Sequence, residues 1–440
     1  MKKIVLSVLF FAFIKFNYAQ TNQTTFLSLE QAINLALEKN ADLKIAEMEI
    51  NKSEQKLREA RSGLFPKIDL SGQYQRYIEL PVLFLPPGSP FGTTLKIGSN
   101  NSYLAQASLS IPLFSWSLYE GIGLASDGLK IAQENYRSVK NKVIANVKKA
   151  FLSVLLARET KDVMQQSLKN AQDNFENIKR LNKAGQLSDY DVLRAEVQVE
   201  NLKPTVLQME NNYKLSLEAL KVAIGLNSNE EIDVTGEMDF QEPYELPNQK
   251  EVMDKLLANN PDLAILNKQV ELNNKNLSLE KSAYLPTLAG FGNYQYQAQA
   301  NDFKFSDYRW VKTFVLGLQL QVPVFNGFKT QARVSQAEIG LNQAEEQKRN
   351  FTEALKTQLL SVLYRLEQAV KRIEGQNKTV QQATEGYEIA KRRLENNLAT
   401  QLEVNDAELA LRQAKLNRLQ AIYDLKVAET DLNTLLGKIK

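Results

Sequence analysis

The chain of 440 residues has no cysteine and no histidine. Without cysteine it has no disulfides and cannot carry a lipid on an N-terminal cysteine. Both missing residues are the usual zinc ligands, and histidine is also the commonest general base. Carboxylates and lysines remain, but no spacing among them suggests a catalytic constellation, a metal or any other cofactor. Proline is scarce: there are 12, with none between Pro112 and Pro204 and none after Pro323. Beyond the N-terminus no apolar run reaches roughly 18 residues, so no transmembrane helix is expected and any membrane span must use strands. Charge of one sign is also lacking. The formal net charge of +3 falls to 0 without Lys2, Lys3 and Lys15. That balance gives no support for nucleic-acid binding.

Those three lysines lie in "MKKIVLSVLFFAFIKFNYAQ", a basic end followed by the apolar run Ile4 to Ile14. Residues 1–19 read as a secretory signal peptide cleaved after Ala19. A buried N-terminal helix is the alternative.

The most informative feature is a duplication. "GLFPKIDLSGQYQ" reappears as "AYLPTLAGFGNYQ", and Pro66 matches Pro286. Pro112 likewise matches Pro323, while Ala195 and Gly225 match Ala407 and Gly437. The repeat argues for one body built from two similar halves. The first covers 20–226: a helix, strands over 66–80 and 101–113, then helices over 118–183 and 188–225. A linker covers 227–249. The second covers 250–440: a helix, strands over 286–298 and 311–323, then helices over 328–396 and 400–438.

The proline-free stretches are rich in good helix formers. The run from Leu118 to Lys183 would extend roughly 99 Å as one helix, which implies a rod. It carries a seam: Leu129, Tyr136, Val143, Ala150, Ala157, Met164, Ala171 and Ile178 recur every seventh residue. The return helix shows Val192, Ala195, Val199, Leu202, Val206, Met209 and Tyr213, and the second copy shows Val404, Ala407, Leu411, Ala414, Ala421, Leu425, Ala428 and Leu432. These are coiled-coil seams. Pro204 is expected to kink the first return helix.

The strands alternate. Ile68, Leu70 and Tyr74 oppose Lys67, Asp69, Ser71 and Gln73; Phe314, Leu316, Leu318, Leu320 and Val322 oppose Gly317, Gln319 and Gln321. "TLAGFGNYQY" alternates least clearly. Such strands suit either a transmembrane barrel with a wet lumen or a half-buried soluble sheet. The signal peptide and the rods favour the barrel. Tyr77, Tyr103, Tyr308 and Trp310 are candidates for an interfacial aromatic girdle. Four strands cannot close a membrane barrel and open edges are not tolerated in lipid, so the chain must oligomerise to complete one.

Duplicated strand hairpins, proline-free helices and the turn sequences "AGQLSDYDVLRAE" and "NNLATQLEVNDAE" together resemble the TolC-like outer-membrane efflux proteins. The resemblance covers nearly the whole chain after the signal peptide. It implies a mainly α fold with a small β part: duplicated coiled-coil hairpins forming an α-barrel, and four transmembrane strands per chain completing a trimeric 12-stranded β-barrel. It implies a homotrimer in outer-membrane lipid with a helical tunnel across the periplasm. Cargo would pass without chemistry, energised by an inner-membrane transporter such as an RND or ABC pump through a periplasmic adaptor.

Family tips follow Gly-Leu-x-(Ser/Thr)-x-x-(Asp/Glu)-Val. Here the first turn offers Gly185, Leu187, Ser188 and Asp191, with Gln186 inserted after the glycine. The second offers Leu398, Ala399, Thr400, Glu403 and Asp406, with Asn397 where the family often has glycine. The resemblance implies adaptor docking at Gly185, Leu187, Ser188, Leu398, Ala399 and Thr400. It implies a periplasmic constriction at Asp191, Glu403 and Asp406. A second reading makes Ser188 and Thr400 helix N-caps with acids in the first turn, and the two readings are compatible. The expected function is a passive conduit for efflux or type I secretion. An exported coiled-coil scaffold without channel activity is the alternative.

Overall fold

The computed structural model describes residues 24–241, 243–396 and 398–438. The expected signal peptide and Asn397 lie outside them.

The element order shows the duplication. The first copy runs β1 (Thr25–Leu27), α1 (Leu29–Lys39), α2 (Ala41–Ser62), β2 (Lys67–Arg76), β3 (Val82–Phe84), β4 (Thr94–Lys96), β5 (Asn101–Phe114), α3 (Trp116–Lys183) and α4 (Asp189–Ile224). The second runs β6 (Ile232–Val234), α5 (Gln249–Asn259), α6 (Pro261–Ser282), β7 (Thr287–Ala300), β8 (Val311–Gln321), α7 (Lys329–Glu395) and α8 (Gln401–Leu435). Corresponding helices match in length: 11 and 11, 22 and 22, 68 and 67, 36 and 35 residues.

The chain divides into two compact units. One comprises residues up to Asn40 with Val143–Glu245 and Arg365–Thr430; the other comprises Ala41–Lys142, Leu246–Tyr364 and Asp431 onward. In the first unit the heptad seam is buried at Val143, Met164 and Ile178 on α3, and at Ala195, Val199, Leu202 and Val206 on α4. Val404, Leu411, Ala414, Ala421, Leu425 and Ala428 form the buried line on α8. The alanines at 150, 157 and 171 are only half-buried. Met164, Leu202 and Val206 pack as one cluster, with Leu416 of α8 against them. Helix α4 continues through Pro204. Pro204 removes one backbone donor without ending the helix.

The same closure ends α4 and α8. Gly225 and Gly437 take positive φ of 88° and 62°. Their N–H groups donate back into the last turn, to Lys221 O and to Thr434 O. A Cβ on Gly225 would lie 2.9 Å from Lys39 O, and one on Gly437 would lie 2.6 Å from Asn259 O. Glycine is therefore required twice, for the left-handed turn and for the close approach of α1 or α5. Asn40, after α1, donates to Ala223 O at 3.0 Å, and Asn260, after α5, donates to Leu435 O at 2.9 Å.

Strands β2, β5, β7 and β8 form one antiparallel sheet in that order. The central β5–β7 pair joins the two copies. Strand β2 ends at Arg76 rather than 80: after one further cross-strand bond, from Tyr77 N to Asn100 O at 2.7 Å, the chain bends at 78 and 79 and leaves the ladder. Strands β3 and β4 pair within the first hairpin loop, and β1 pairs in parallel with β6. The expected linker 227–249 thus contains a strand. Arg158 of α3 straps it by donating to Val234 O at 2.8 Å, and Glu159 accepts from Met238 N at 2.8 Å.

Candidate functional site

The register sorts the sheet into two unlike faces. Residues opposite one another in a ladder share a face. Ile68 faces Leu109, which faces Gly292, which faces Leu316. Leu70, Ala107, Tyr294 and Phe314 form the next row, and Ile111, Gly290 and Leu318 another. All these sit on one side. The other side carries Lys67, Asp69, Ser71 and Gln73 of β2, Gln106, Ser108 and Ser110 of β5, Asn293, Gln295 and Gln297 of β7, and Gln319 and Gln321 of β8. Gln106 links to Asn293 and Gln295 by hydrogen bonds of 3.3 Å each. The apolar side is bare: Leu70 is 83% exposed and Leu318 70%. A soluble sheet covers such a face, since each large aliphatic group left in water forfeits about 1.5–3 kcal/mol of burial.

The weak alternation of β7 has a packing cause. Gly290 and Gly292 occupy apolar-face positions where Ile111 and Leu316 lean across them; a Cβ on Gly292 would lie 2.8 Å from Leu316 Cδ2. On the polar face Phe291 covers Gly317, with its ring 2.5 Å from where a Cβ would stand.

The candidate girdle residues gather at the loop end of the sheet. Tyr103 stacks on Tyr74 at 5.0 Å, and Tyr308 lies 5.5 Å from Tyr103. Trp310 stacks on Tyr296 at 4.8 Å. Tyr77 stands apart from these ring pairs, with its hydroxyl 3.5 Å from Gln75 Oε1.

Both turns expected at the tip belong to the first unit. Gly185 has φ +75°, and the chain around it closes with Gly185 N donating to Asn182 O and Gln186 N to Leu181 O. Asn182 Nδ2 donates to Leu187 O at 2.9 Å. Ser188 caps α4: Asp191 N donates to Ser188 Oγ at 3.2 Å, and Ser188 N donates to Asp191 Oδ2 at 3.1 Å. This is a reciprocal capping box.

The second turn uses different parts. Leu398 N donates to Arg393 O at 2.7 Å, and the Arg393 guanidinium donates to Leu398 O at 2.9 Å. Thr400 N donates to Glu403 Oε1 at 3.2 Å, and Glu403 N to Thr400 Oγ1 at 3.4 Å. Arg393 also stands 3.9 Å from Glu403 Oε2. Leu398 is exposed, whereas Leu187 and Ala399 are half-buried.

Two of the three acids are thus held by helix caps. Asp406 is exposed and pairs with no described residue. Near this end a cavity of about 240 Å³ is lined by Asp173, Arg180, Tyr387, Lys391, Glu395 and Val404. It brings α3, α7 and α8 together. Burial first, and the Glu408 carboxylate second, push the Tyr387 hydroxyl above its ordinary pKa. Deeper in the bundle Ser167 donates to Glu408, and Arg412 donates to Ser167 Oγ at 3.0 Å. Arg393 gave no sequence signal because its partner is a backbone carbonyl five residues on, and the Ser167–Glu408–Arg412 cluster gave none because the register between two helices brings Ser167 to the other two.

Long duplicated helices and a sheet with one bare apolar face point to the class of membrane channels. The fold is similar to the crystal structure of the Campylobacter jejuni CmeC outer membrane channel, with a TM-score of 0.78 at 18% identity over 93% of this chain and 85% of that one. In sequence the chain is 21% identical to outer membrane protein TolC of Vibrio cholerae over 383 residues, 86% of this chain and 84% of that protein. It is 20% identical to the alkaline protease secretion protein AprF of Pseudomonas aeruginosa over 338 residues, 77% of this chain and 70% of that protein. The outer membrane efflux protein family matches residues 32–226 and 252–438, and the chain belongs to that family. It is accordingly an outer-membrane channel protein and not an enzyme.

Proposed function

We propose that three copies of this chain build a passive outer-membrane conduit for a tripartite efflux or type I secretion system. The observation that carries the reading is the two-faced sheet with unlike chemistries and, among the described residues, unpaired outer edges on β2 and β8. Open edges are costly in lipid, and three copies supply 12 strands, enough to close a membrane barrel. The apolar face meets lipid and the glutamine-rich face lines a wet lumen. The helices continue the lumen through the periplasm to the two turns. Gly185, Leu187, Ser188, Leu398, Ala399 and Thr400 form the tip that meets a periplasmic adaptor, which couples to an RND or ABC transporter. Asp191, Glu403 and Asp406 lie near the constriction. Asp406 contributes most of its field, because Asp191 and Glu403 are engaged in caps. The family description speaks of efflux and the name of AprF of protease secretion, which leaves both small molecules and proteins open as cargo.

The test is native mass in detergent together with a pair of substitutions. Leu318→Arg should cost about 2–4 kcal/mol of assembly if it faces mid-bilayer, and Gln319→Arg should be mild. A stable monomer, or equal effects of the two changes, overturns the reading. Single-channel recording of Asp406→Asn tests the constriction: cation selectivity should fall more than for Asp191→Asn.

A further inference from the structure

We propose that the apolar face of the sheet holds a specific site for a phosphate-bearing lipid of the outer leaflet. The proposal rests on the membrane-spanning reading above and adds a ligand to it. Most of that face is filled by large aliphatic groups, but one region is not. Gly72 and Ala105 in one row, with Ala107 in the next, leave a groove of about 430 Å³ between Leu70 and the rings of Tyr294 and Tyr296. An acyl chain matches a narrow apolar trough open along one side.

Charge selects the headgroup. Lys312 lies in the same row as Gly72, Ala105 and Tyr296, near the loop end of β8, with its Nζ 5.8 Å from the Tyr296 ring centre. Arg76 ends β2 on this face, and neither side chain forms an ion pair with a described residue. No acid shares this face of the four strands. The helices leave from the opposite end of the sheet, so these two cations stand at the outer interface, level with the stacked tyrosines and Trp310. An acyl groove with Lys312 beside it in its own row and Arg76 two rows nearer the loops, on the opposite edge strand, favours an anionic headgroup over a neutral one.

Delipidated trimer in detergent is incubated with phosphorylated lipid A or with the same lipid dephosphorylated, and retention is read by native mass spectrometry. Wild type should retain the phosphorylated form preferentially. K312Q and R76Q should each lose about fivefold, and the double variant roughly 30-fold. A107L, which fills the groove and leaves the charges, should lower retention of the phosphorylated form. Equal retention of the two lipids by wild type overturns the proposal, and so does a double variant or an A107L that binds as wild type does. A trimer that binds neither lipid removes this site alone. Failure to form a trimer removes the membrane reading beneath it.

Discussion

The two copies close the ends of α4 and α8 with one device and build their turns after α3 and α7 with two. At Gly225 and Gly437 the backbone is left-handed and a neighbouring helix end stands within 3 Å of the missing Cβ. Each is secured by an asparagine that donates to a carbonyl two residues before the glycine. At the turns the first copy relies on the left-handed Gly185 and Asn182, and the second on Arg393. Packing against another element leaves one solution for a crowded helix end. An exposed turn has several, so packing does not dictate its residues.

The largest effect expected from that contrast comes from adding one methyl group. Gly437→Ala and Gly225→Ala should each cost about 2–5 kcal/mol, combining left-handed strain with overpacking. Gly437 should be the worse, because its approach is closer. Gly185→Ala meets nothing within 4 Å and should cost only about 1–2 kcal/mol. Denaturant unfolding of the three variants in detergent orders them, and a Gly185 cost equal to the others would break the contrast.

Caps come next. Ser188→Ala and Thr400→Ala should each cost about 1 kcal/mol, since both hydroxyls accept from the backbone N–H three residues on. Local hydrogen exchange in the first turns of α4 and α8 would show it. Unequal losses would mean that one turn is held by something other than its cap.

Arg393→Gln should cost only about 0.5 kcal/mol, because its partner Glu403 is exposed and 3.9 Å away. Its signature is positional: faster exchange at Leu398, with no change at Gly185.

The smallest effect is a pH slope in the strap over α3. Burial holds the Glu159 carboxyl above its ordinary pKa, partly offset by the bond it accepts from Met238 N. The folded state therefore keeps this proton longer than the unfolded chain does. Stability should fall as pH rises from about 4 through the raised value, and Glu159→Gln should flatten that part of the profile. Melting temperature against pH measures it, and a steeper slope in the variant would contradict the assignment.

Much of this was legible in the sequence because the signals are local. Proline spacing, heptads and period-two alternation each arise from one stretch of chain, so the long helices and four main strands could be read directly. Asp191 and Glu403 follow the same logic, since a capping box spans four residues. The pairing of β1 with β6 could not be read, because three residues carry no period and the partner lies about two hundred positions away. Nor could the β5–β7 junction, which makes one sheet from both copies and puts the leucines of β8 on the same side as those of β2. Glycines in β7 hid its alternation until Ile111 and Leu316 were seen to cover them. Sequence fixes which residues favour helix, strand or cap, because those preferences act between near neighbours. Only the tertiary structure decides which strand edges stay open, which acid stays unpaired and where small residues line up into a groove, because these depend on contacts between distant parts of the chain.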